Sequence, residues 1–223
     1  MRILVLGASG RCGSHFVRLA ARRGHDVTAI VLPGFRGKPP GSVTVVRGEV
    51  TDPGFLAAVS SGHATVVSCL GLRRATLLPW SRLLSPPTLV QDVMGGLVRY
   101  AAADARVIWI SAGGVGDSRE RTSFPVRALI RAGHVGTAYE DLVIAERRVR
   151  DAGRPWLAVR PVTLAGGPRT GRAGPVERYG LASVVRRSDV ASWMLDVADG
   201  TVACTEPAVL LGTVRRGGVS PAE

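Results

Sequence analysis

The stretch "VLGASGRCGSHFV", residues 5–17, decides the fold of this chain. It passes from an apolar strand through Gly7, Gly10 and Gly13 into an amphipathic helix. Glycines at this spacing permit a tight turn, close approach of the backbone to a pyrophosphate, and tight packing of the helix on the strand. The first amides of such a helix can bind an anion. The stretch therefore predicts a dinucleotide-binding loop.

Further apolar runs recur along the chain with helical patterns between them, in a β-α-β-α order. This alternation predicts an α/β fold of the Rossmann type, a doubly wound parallel sheet with helices on both faces in a single domain. Several runs are apolar throughout, as is typical of strands buried on both faces. The predicted strands are 2–6, 27–32, 43–47, 65–68, 107–110, 156–160 and 208–211.

Helix ends can also be predicted. Asp52 followed by Pro53 is typical of a helix N-terminus, and Gly153 of the end of the helix that contains "YEDLVIAERRVR". We expect one domain over residues 1–215 and a flexible tail over 216–223. Three stretches fit neither a helix nor a strand and follow predicted strands, so we expect them to form the substrate pocket at the carboxyl edge of the sheet: 70–87, 113–138 and 164–180.

Composition narrows the functional classes. The chain has 223 residues, of which 46% are hydrophobic and 21% charged, an ordinary globular balance. The net charge of +12 comes almost entirely from scattered arginines, so we expect no nucleic-acid partner. No apolar run approaches the roughly 18 residues of a membrane span, and we expect a cytoplasmic protein without a membrane partner. Three widely spaced cysteines predict buried thiols and no metal site.

The end of the second predicted strand bears on the choice of dinucleotide. An acidic residue there would bind the ribose 2′-hydroxyl, but "VTAIVLPGFRGK" contains none. Arg36 and Lys38 follow instead, and Arg11 lies inside the glycine loop. Cations at these places suit a 2′-phosphate, so we expect NADP (NADPH) to be preferred over NAD.

Several motifs in order resemble one family: "VVRGEVTDP" (45–53), "CLGLRR" (69–74), "LSPPTLVQDVMGGLV" (84–98), "ISAGGVGDS" (110–118), "AERRVRDAGRPWLAVRPVTLAGGPRTG" (145–171) and "VVRRSDVASWML" (184–195). The chain resembles an atypical short-chain dehydrogenase/reductase of the NAD(P)H-binding, NmrA-like group, and within it the flavin reductase/biliverdin-IXβ reductase family. The resemblance implies that Glu49 and Val50 lie beside the adenine and that Arg36 binds the 2′-phosphate. Leu32 stands where an arginine is common. The implied cofactor-binding residues are Gly7, Ser9, Gly10, Arg11, Cys12, Gly13, Arg36, Glu49, Val50, Leu70, Gly71, Arg73 and Pro161.

The catalytic residues are harder to predict. The superfamily commonly uses Tyr-x-x-x-Lys, in which the ammonium lowers the pKa of the phenol. Tyr139 could take the tyrosine place, but Val143 replaces the lysine, so this dyad is absent. The resemblance places Ser111 facing the nicotinamide, although a capping hydroxyl is the alternative. Tyr139 and His134 are further candidates, and His134 in its glycine-flanked loop could equally be a surface histidine.

We expect an NADPH-dependent reductase that transfers hydride to a flat conjugated acceptor such as a flavin, a quinone or an aromatic, polyketide-like metabolite. The apolar side chains expected to line its pocket are Leu77, Leu78, Trp80, Leu83, Leu84 and Phe124. One alternative is a redox-neutral isomerase, dehydratase or cyclase of secondary metabolism. Another is a non-catalytic, NmrA-like regulator that senses the dinucleotide. The sequence leaves a monomer and a homodimer open.

Overall fold

The computed structural model describes residues 1–73, 75–76, 81–131, 134–154 and 156–214. The strands of its main sheet are β1 (Arg2–Leu6), β2 (Asp26–Val31), β3 (Val43–Arg47), β4 (Thr65–Ser68), β5 (Arg106–Ile110), β6 (Trp156–Pro161), β8 (Ala173–Pro175) and β10 (Ala208–Thr213). These eight strands lie in the order β3-β2-β1-β4-β5-β6-β10-β8. All neighbouring strands pair in parallel except β10 and β8, which are antiparallel.

A second, two-stranded parallel sheet pairs β7 (Thr163–Ala165) with β9 (Val184–Arg186). The predicted Rossmann-type fold is confirmed, and each of the seven predicted strands is present. The second strand ends at Val31 rather than residue 32, which leaves Leu32 43% exposed. The three-residue strands β7, β8 and β9 were not predicted, because runs so short carry no readable alternation.

The described residues form six α-helices: α1 (Gly13–Arg22), α2 (Pro53–Ser60), α3 (Leu89–Tyr100), α4 (Phe124–Ile130), α5 (His134–Asp151) and α6 (Arg187–Ala198). Successive residues of β1 point to opposite faces. Ile3 and Val5 therefore belong to one core with α1 and α6. Leu4 and Leu6 belong to the other core, with α2, α3 and α5.

The predicted helix ends are confirmed. The carboxylate of Asp52 accepts a hydrogen bond of 2.9 Å from the Gly54 amide at the start of α2. After α5 the chain turns at Gly153, whose φ of +62° is a left-handed conformation that favours glycine.

Two of the three stretches expected to lack regular structure contain some. Stretch 113–138 holds a 3₁₀ turn (Gly116–Arg119), α4 and the first residues of α5, so that expectation is wrong. Helix α4 has seven residues and only Val126 buried, too few for a periodic apolar pattern. Stretch 164–180 includes most of β7 and all of β8. In stretch 70–87, the Ala75 amide donates to the Arg82 carbonyl and the Leu84 amide donates to the Arg73 carbonyl, so the two ends of the stretch are joined.

The expected tail over 216–223 lies outside the described residues. Among those described, no helix combines the length and apolar character that crossing a membrane requires. The same residues contain no group of three or more His, Cys, Asp or Glu side chains placed to hold a metal ion.

Candidate dinucleotide and substrate site

The carboxyl ends of the central strands lie side by side at one edge of the sheet. Leu6 of β1 pairs with Ser68 of β4, and Ser68 pairs with Trp109 of β5. The turns after these strands, which begin at Gly7, Cys69 and Ser111, are therefore neighbours. This edge is where ligands bind in open parallel sheets.

The glycine loop closes tightly against β4 and α1. Gly7 has a φ of +70°, and its backbone carbonyl accepts a 2.9 Å hydrogen bond from the Gly10 amide. A Cβ added at Gly13 would lie 2.2 Å from the Gly7 carbonyl oxygen, and one at Gly7 would lie 3.0 Å from that of Cys69. Only glycine allows the helix and the loop to approach this closely. The geometry fits the dinucleotide loop predicted from the sequence.

The start of α1 is suited to an anion. Within the described residues, the amides of Arg11, Cys12 and Gly13 have no backbone acceptor. The first turn of α1 contains no acidic residue and its N-cap makes no side-chain hydrogen bond. Ser9 and Arg11 are exposed at the loop surface. Unpaired amides at a helix N-terminus, with a cation beside them, fit the negative charge of a pyrophosphate.

The adenosine side of the site follows β2 and β3. Arg36 and Lys38 are exposed after β2, and no acidic side chain pairs with either of them in the described part of the chain. Glu49 is exposed after β3, while the neighbouring Val50 packs on the α2–α3 core. Both cations are thus available to a ligand at the end of β2.

On the other side of the glycine loop lie residues that follow β4 and β6. Leu70 is half-buried, Gly71 is exposed, and Arg73 has an exposed side chain whose backbone amide donates to Ser85 Oγ at 3.0 Å. Pro161 is buried at the end of β6, and its carbonyl accepts a 2.8 Å hydrogen bond from the Gly113 amide.

Ser111 follows β5 directly and is 6% exposed. Its amide donates to the Val159 carbonyl, and its Oγ donates to Glu146 Oε1 at 2.7 Å. Glu146 in turn is held by the Arg160 guanidinium, with Nη2 to Oε2 at 2.6 Å. Ser111 is therefore fixed by a buried carboxylate rather than by capping a helix.

Tyr139 lies on α5, and its hydroxyl donates to the Gly113 carbonyl at 2.8 Å. Burial raises the pKa of this phenol, the opposite of the lowering that a Tyr-x-x-x-Lys lysine produces. His134 is the first residue of α5. It does not lie in a glycine-flanked loop as expected, because Gly136 is itself part of this helix. The side chain of His134 lies outside the described part of the structure.

Two of the predicted substrate stretches meet. The Ser123 amide donates to the Tyr179 carbonyl at 2.8 Å, and the Tyr179 amide donates to the Arg121 carbonyl at 2.9 Å. A cavity of about 710 Å³ lies between residues 120–123 and 177–180. A second one, of about 280 Å³, is lined by Phe124, which is 75% exposed, and by three arginines. Leu84 is exposed and Leu83 half-buried, and Leu77, Leu78 and Trp80 lie outside the described residues.

A family model described as NAD(P)H-binding matches residues 7–201. The chain belongs to the NAD(P)H-binding family. The membership expected from the sequence motifs is confirmed, and with it a nicotinamide dinucleotide as the cofactor class. The matched residues include the glycine loop, whose close approaches and unpaired amides fit that group.

Solved structures place this NAD(P)H-binding chain among known folds. ChuY, an anaerobillin reductase from Escherichia coli O157:H7, is 21% identical with a TM-score of 0.70, and the match covers 100% of both chains. The oxidoreductase ylbE from Lactococcus lactis is 14% identical with a TM-score of 0.73, covering 96% of this chain and 92% of that one. A Streptococcus pneumoniae protein assigned as an NADH-flavin reductase is 18% identical with a TM-score of 0.69, covering 96% and 100%. These likenesses show the fold.

A curated relative matches part of the NAD(P)H-binding chain. It is the chloroplastic divinyl chlorophyllide a 8-vinyl-reductase of Oryza sativa subsp. indica, 40% identical over 84 residues. The match covers 32% of this chain and 21% of the relative, so the chain spans about a fifth of that relative's length.

Sequence reasoning missed Glu146 and Arg160. Glu146 lies four residues after Leu142 and three before Val149, both buried, so it occupies an apolar face of α5. Arg160 is the penultimate residue of the buried strand "WLAVRP" (β6). One feature of the sequence could have indicated this pair. A charged residue occupies a core position of a helix, and a residue of opposite charge lies near the end of an apolar strand.

Proposed function

We propose that the protein is an NADPH-dependent oxidoreductase that transfers hydride to a flat, conjugated acceptor such as a flavin, a quinone or an aromatic metabolite. Family membership supplies the cofactor class. The observation that favours this type of acceptor is the state of Tyr139, whose proton is donated to a backbone carbonyl and whose pKa is raised by burial. A conjugated acceptor can take its proton from solvent, so it does not need an acidic phenol.

Each part of the proposed cofactor site has its own role in binding the dinucleotide. The bound dinucleotide supplies the hydride when it is reduced. The amides at the start of α1 and Arg11 hold the pyrophosphate, while Arg36 binds the 2′-phosphate and Lys38 adds positive charge. Because the end of β2 offers cations and no carboxylate, we propose NADP(H) rather than NAD(H) as the preferred pair. Glu49, Val50, Leu70, Gly71, Arg73 and Pro161 complete the proposed cofactor contacts.

The acceptor is proposed to bind over the turn that follows β5, between the joined stretches 113–131 and 164–180. Phe124 offers an exposed aromatic face, and Arg119, Arg127 and Arg131 line the smaller cavity beside it, which lies within stretch 113–131 and next to the larger cavity between residues 120–123 and 177–180. No acidic side chain pairs with these three arginines among the described residues. An aromatic wall ringed by cations favours a flat acceptor that carries an acidic group. The reductase names of ChuY and the S. pneumoniae protein are in keeping with such substrates.

The test is an acceptor screen. Purified protein is mixed with NADPH and with flavin mononucleotide, biliverdin and a series of quinones, and the nicotinamide absorbance is followed together with the reduced acceptor. One mole of NADPH oxidised for each mole of acceptor reduced supports the proposal. Conversion of a substrate with no net NADPH oxidation would instead support a redox-neutral isomerase, dehydratase or cyclase. This alternative is suggested by Val143, which stands where the Tyr-x-x-x-Lys motif has its lysine. Tight dinucleotide binding with no turnover of any acceptor would support a regulator.

A further inference from the structure

A buried cluster of charged side chains lies directly behind Ser111. Glu146 is 2% exposed and Arg160 is 1% exposed. Arg160 Nε and Nη2 donate to the two oxygens of Glu146 at 3.0 and 2.6 Å, and Nη1 donates to Asp117 at 2.5 Å. Ser111 Oγ donates to Glu146 Oε1, the oxygen that Arg160 Nε also contacts. The hydroxyl hydrogen of Ser111 is thus directed into the protein, away from the edge of the sheet.

The Glu146–Arg160 pair is buried and hydrogen-bonded at both carboxylate oxygens. Two charges removed from water are tolerated only when their geometry and hydrogen bonds are good. Burial alone would lower the pKa of Arg160, but Glu146 and Asp117 outweigh it and raise that pKa, so the guanidinium stays charged. Gly116 closes over the cluster with a φ of +58°, and a Cβ there would lie 2.5 Å from Arg160 Nη2. The turn after β5 is therefore shaped around the ion pair.

Ser111 lies where the nicotinamide half of a bound dinucleotide falls. The cations suited to the adenosine half follow β2, on one side of the glycine loop after β1. The other half must then extend across β4 towards β5. Neighbouring strands are about 4.8 Å apart, which places the end of β5 roughly 10 Å from the glycine loop. That span suits a ribose and a nicotinamide ring.

We infer that Glu146, held by Arg160, is a positioning residue that makes Ser111 a hydrogen-bond acceptor for the nicotinamide carboxamide. A serine hydroxyl has one hydrogen and two lone pairs. Since the hydrogen goes to Glu146, the lone pairs remain for an N–H donor, and donation to a carboxylate strengthens them as acceptors. Ser111 therefore orients the ring and does not supply the proton. The inference rests on the proposed dinucleotide site and not on the identity of the acceptor.

The experiment compares two ligands. Calorimetry measures the affinity of the protein for NADPH and for 2′-phospho-ADP-ribose, which keeps the adenosine and pyrophosphate but lacks the nicotinamide. Ser111→Ala removes the acceptor. Glu146→Gln replaces one carboxylate oxygen by an NH2 group, so a single oxygen remains to accept from Ser111 Oγ, Arg160 Nε and Arg160 Nη2, and the Ser111 hydrogen is no longer held by a carboxylate. Ser60→Ala is the matched control, because it also deletes a buried serine hydroxyl, one that donates to the Leu56 carbonyl in α2.

We expect Ser111→Ala and Glu146→Gln each to weaken NADPH binding about three- to tenfold, the worth of one hydrogen bond, with 2′-phospho-ADP-ribose unaffected. Because both substitutions remove the same hydrogen bond, the double variant should bind NADPH no more weakly than the single variant with the lower NADPH affinity. Equal loss of both ligands in Ser111→Ala would show a merely structural role and overturn the inference, as would an unchanged affinity for NADPH. If Glu146→Gln does not fold, Ser111→Ala still tests whether Ser111 binds the nicotinamide half, and an unchanged NADPH affinity of that variant overturns the inference by itself. A wild-type protein that binds NADPH but reduces no acceptor would refute the proposed reductase activity and leave this inference standing.

Discussion

Replacing Gly13 by alanine tests the construction of the glycine loop. The added Cβ would lie 2.2 Å from the Gly7 carbonyl oxygen, 2.9 Å from its carbon and 3.0 Å from the Ala8 Cα. All three are backbone atoms, so the strain cannot be relieved by a side-chain rotation. Forcing a methyl group into a packed site costs about 1–3 kcal/mol, and alanine in a helix recovers roughly 0.5–1 kcal/mol of that.

We therefore expect Gly13→Ala to lower the free energy of unfolding by about 1–2 kcal/mol, a fall in Tm of roughly 2–8 °C for a chain of this size. Because α1 must move away from the loop, NADPH affinity should fall more than tenfold. Denaturant unfolding and calorimetry measure the two effects. Gly41→Ala is the control, since nothing lies within 4 Å of a Cβ there. A Gly13→Ala protein as stable as Gly41→Ala, with wild-type NADPH affinity, would refute the reasoning.

Three further predictions concern single side chains. Arg36→Ala should weaken NADPH binding about tenfold or more and leave NADH binding unchanged, because one charge-assisted hydrogen bond to the 2′-phosphate is lost; equal weakening of both ligands in calorimetry would contradict the assignment. Glu146→Ala should reduce the free energy of unfolding by about 3–5 kcal/mol, since it leaves Arg160 buried with only Asp117 as a partner, and a loss below about 1 kcal/mol in urea titration would contradict the ion-pair argument. Burial raises the pKa of Cys12 from 9.0 to about 11, so stability present below pH 9 should fall as the pH rises towards 11, by roughly 3 kcal/mol at most. Cys12→Ala should lose that part of the alkaline destabilisation; an identical pH profile would show that Cys12 does not cause it.

The sheet was predictable because buried parallel strands are continuous apolar runs, and such runs need no partner to be recognised. Helix α4 and the strands β7, β8 and β9 were not, since a few residues cannot display a period and their pairing depends on segments far apart in the chain. The Thr122–Tyr179 bridge is of this kind, as it joins two stretches that the sequence showed only as irregular.

Part of the candidate site could likewise be predicted from the sequence and part could not. The glycine loop is local, so spacing alone indicated its residues. The surroundings of Ser111 are not local: Glu146 comes from α5 and Arg160 from β6, and only the fold brings them to the end of β5. A sequence can show that Glu146 and Arg160 each occupy an apolar position. Only tertiary packing shows that the two charges pair, which offsets the cost of burying them.

A calorimetric titration of the purified protein with NADPH, NADP, NADH and NAD tests whether the glycine loop and the cations after β2 form an NADP site. We expect saturable binding at one site, with NADPH and NADP bound more tightly than NADH and NAD. Tighter binding of NADH and NAD would contradict the role given to the cations after β2. Failure to bind any of the four would contradict the dinucleotide site itself.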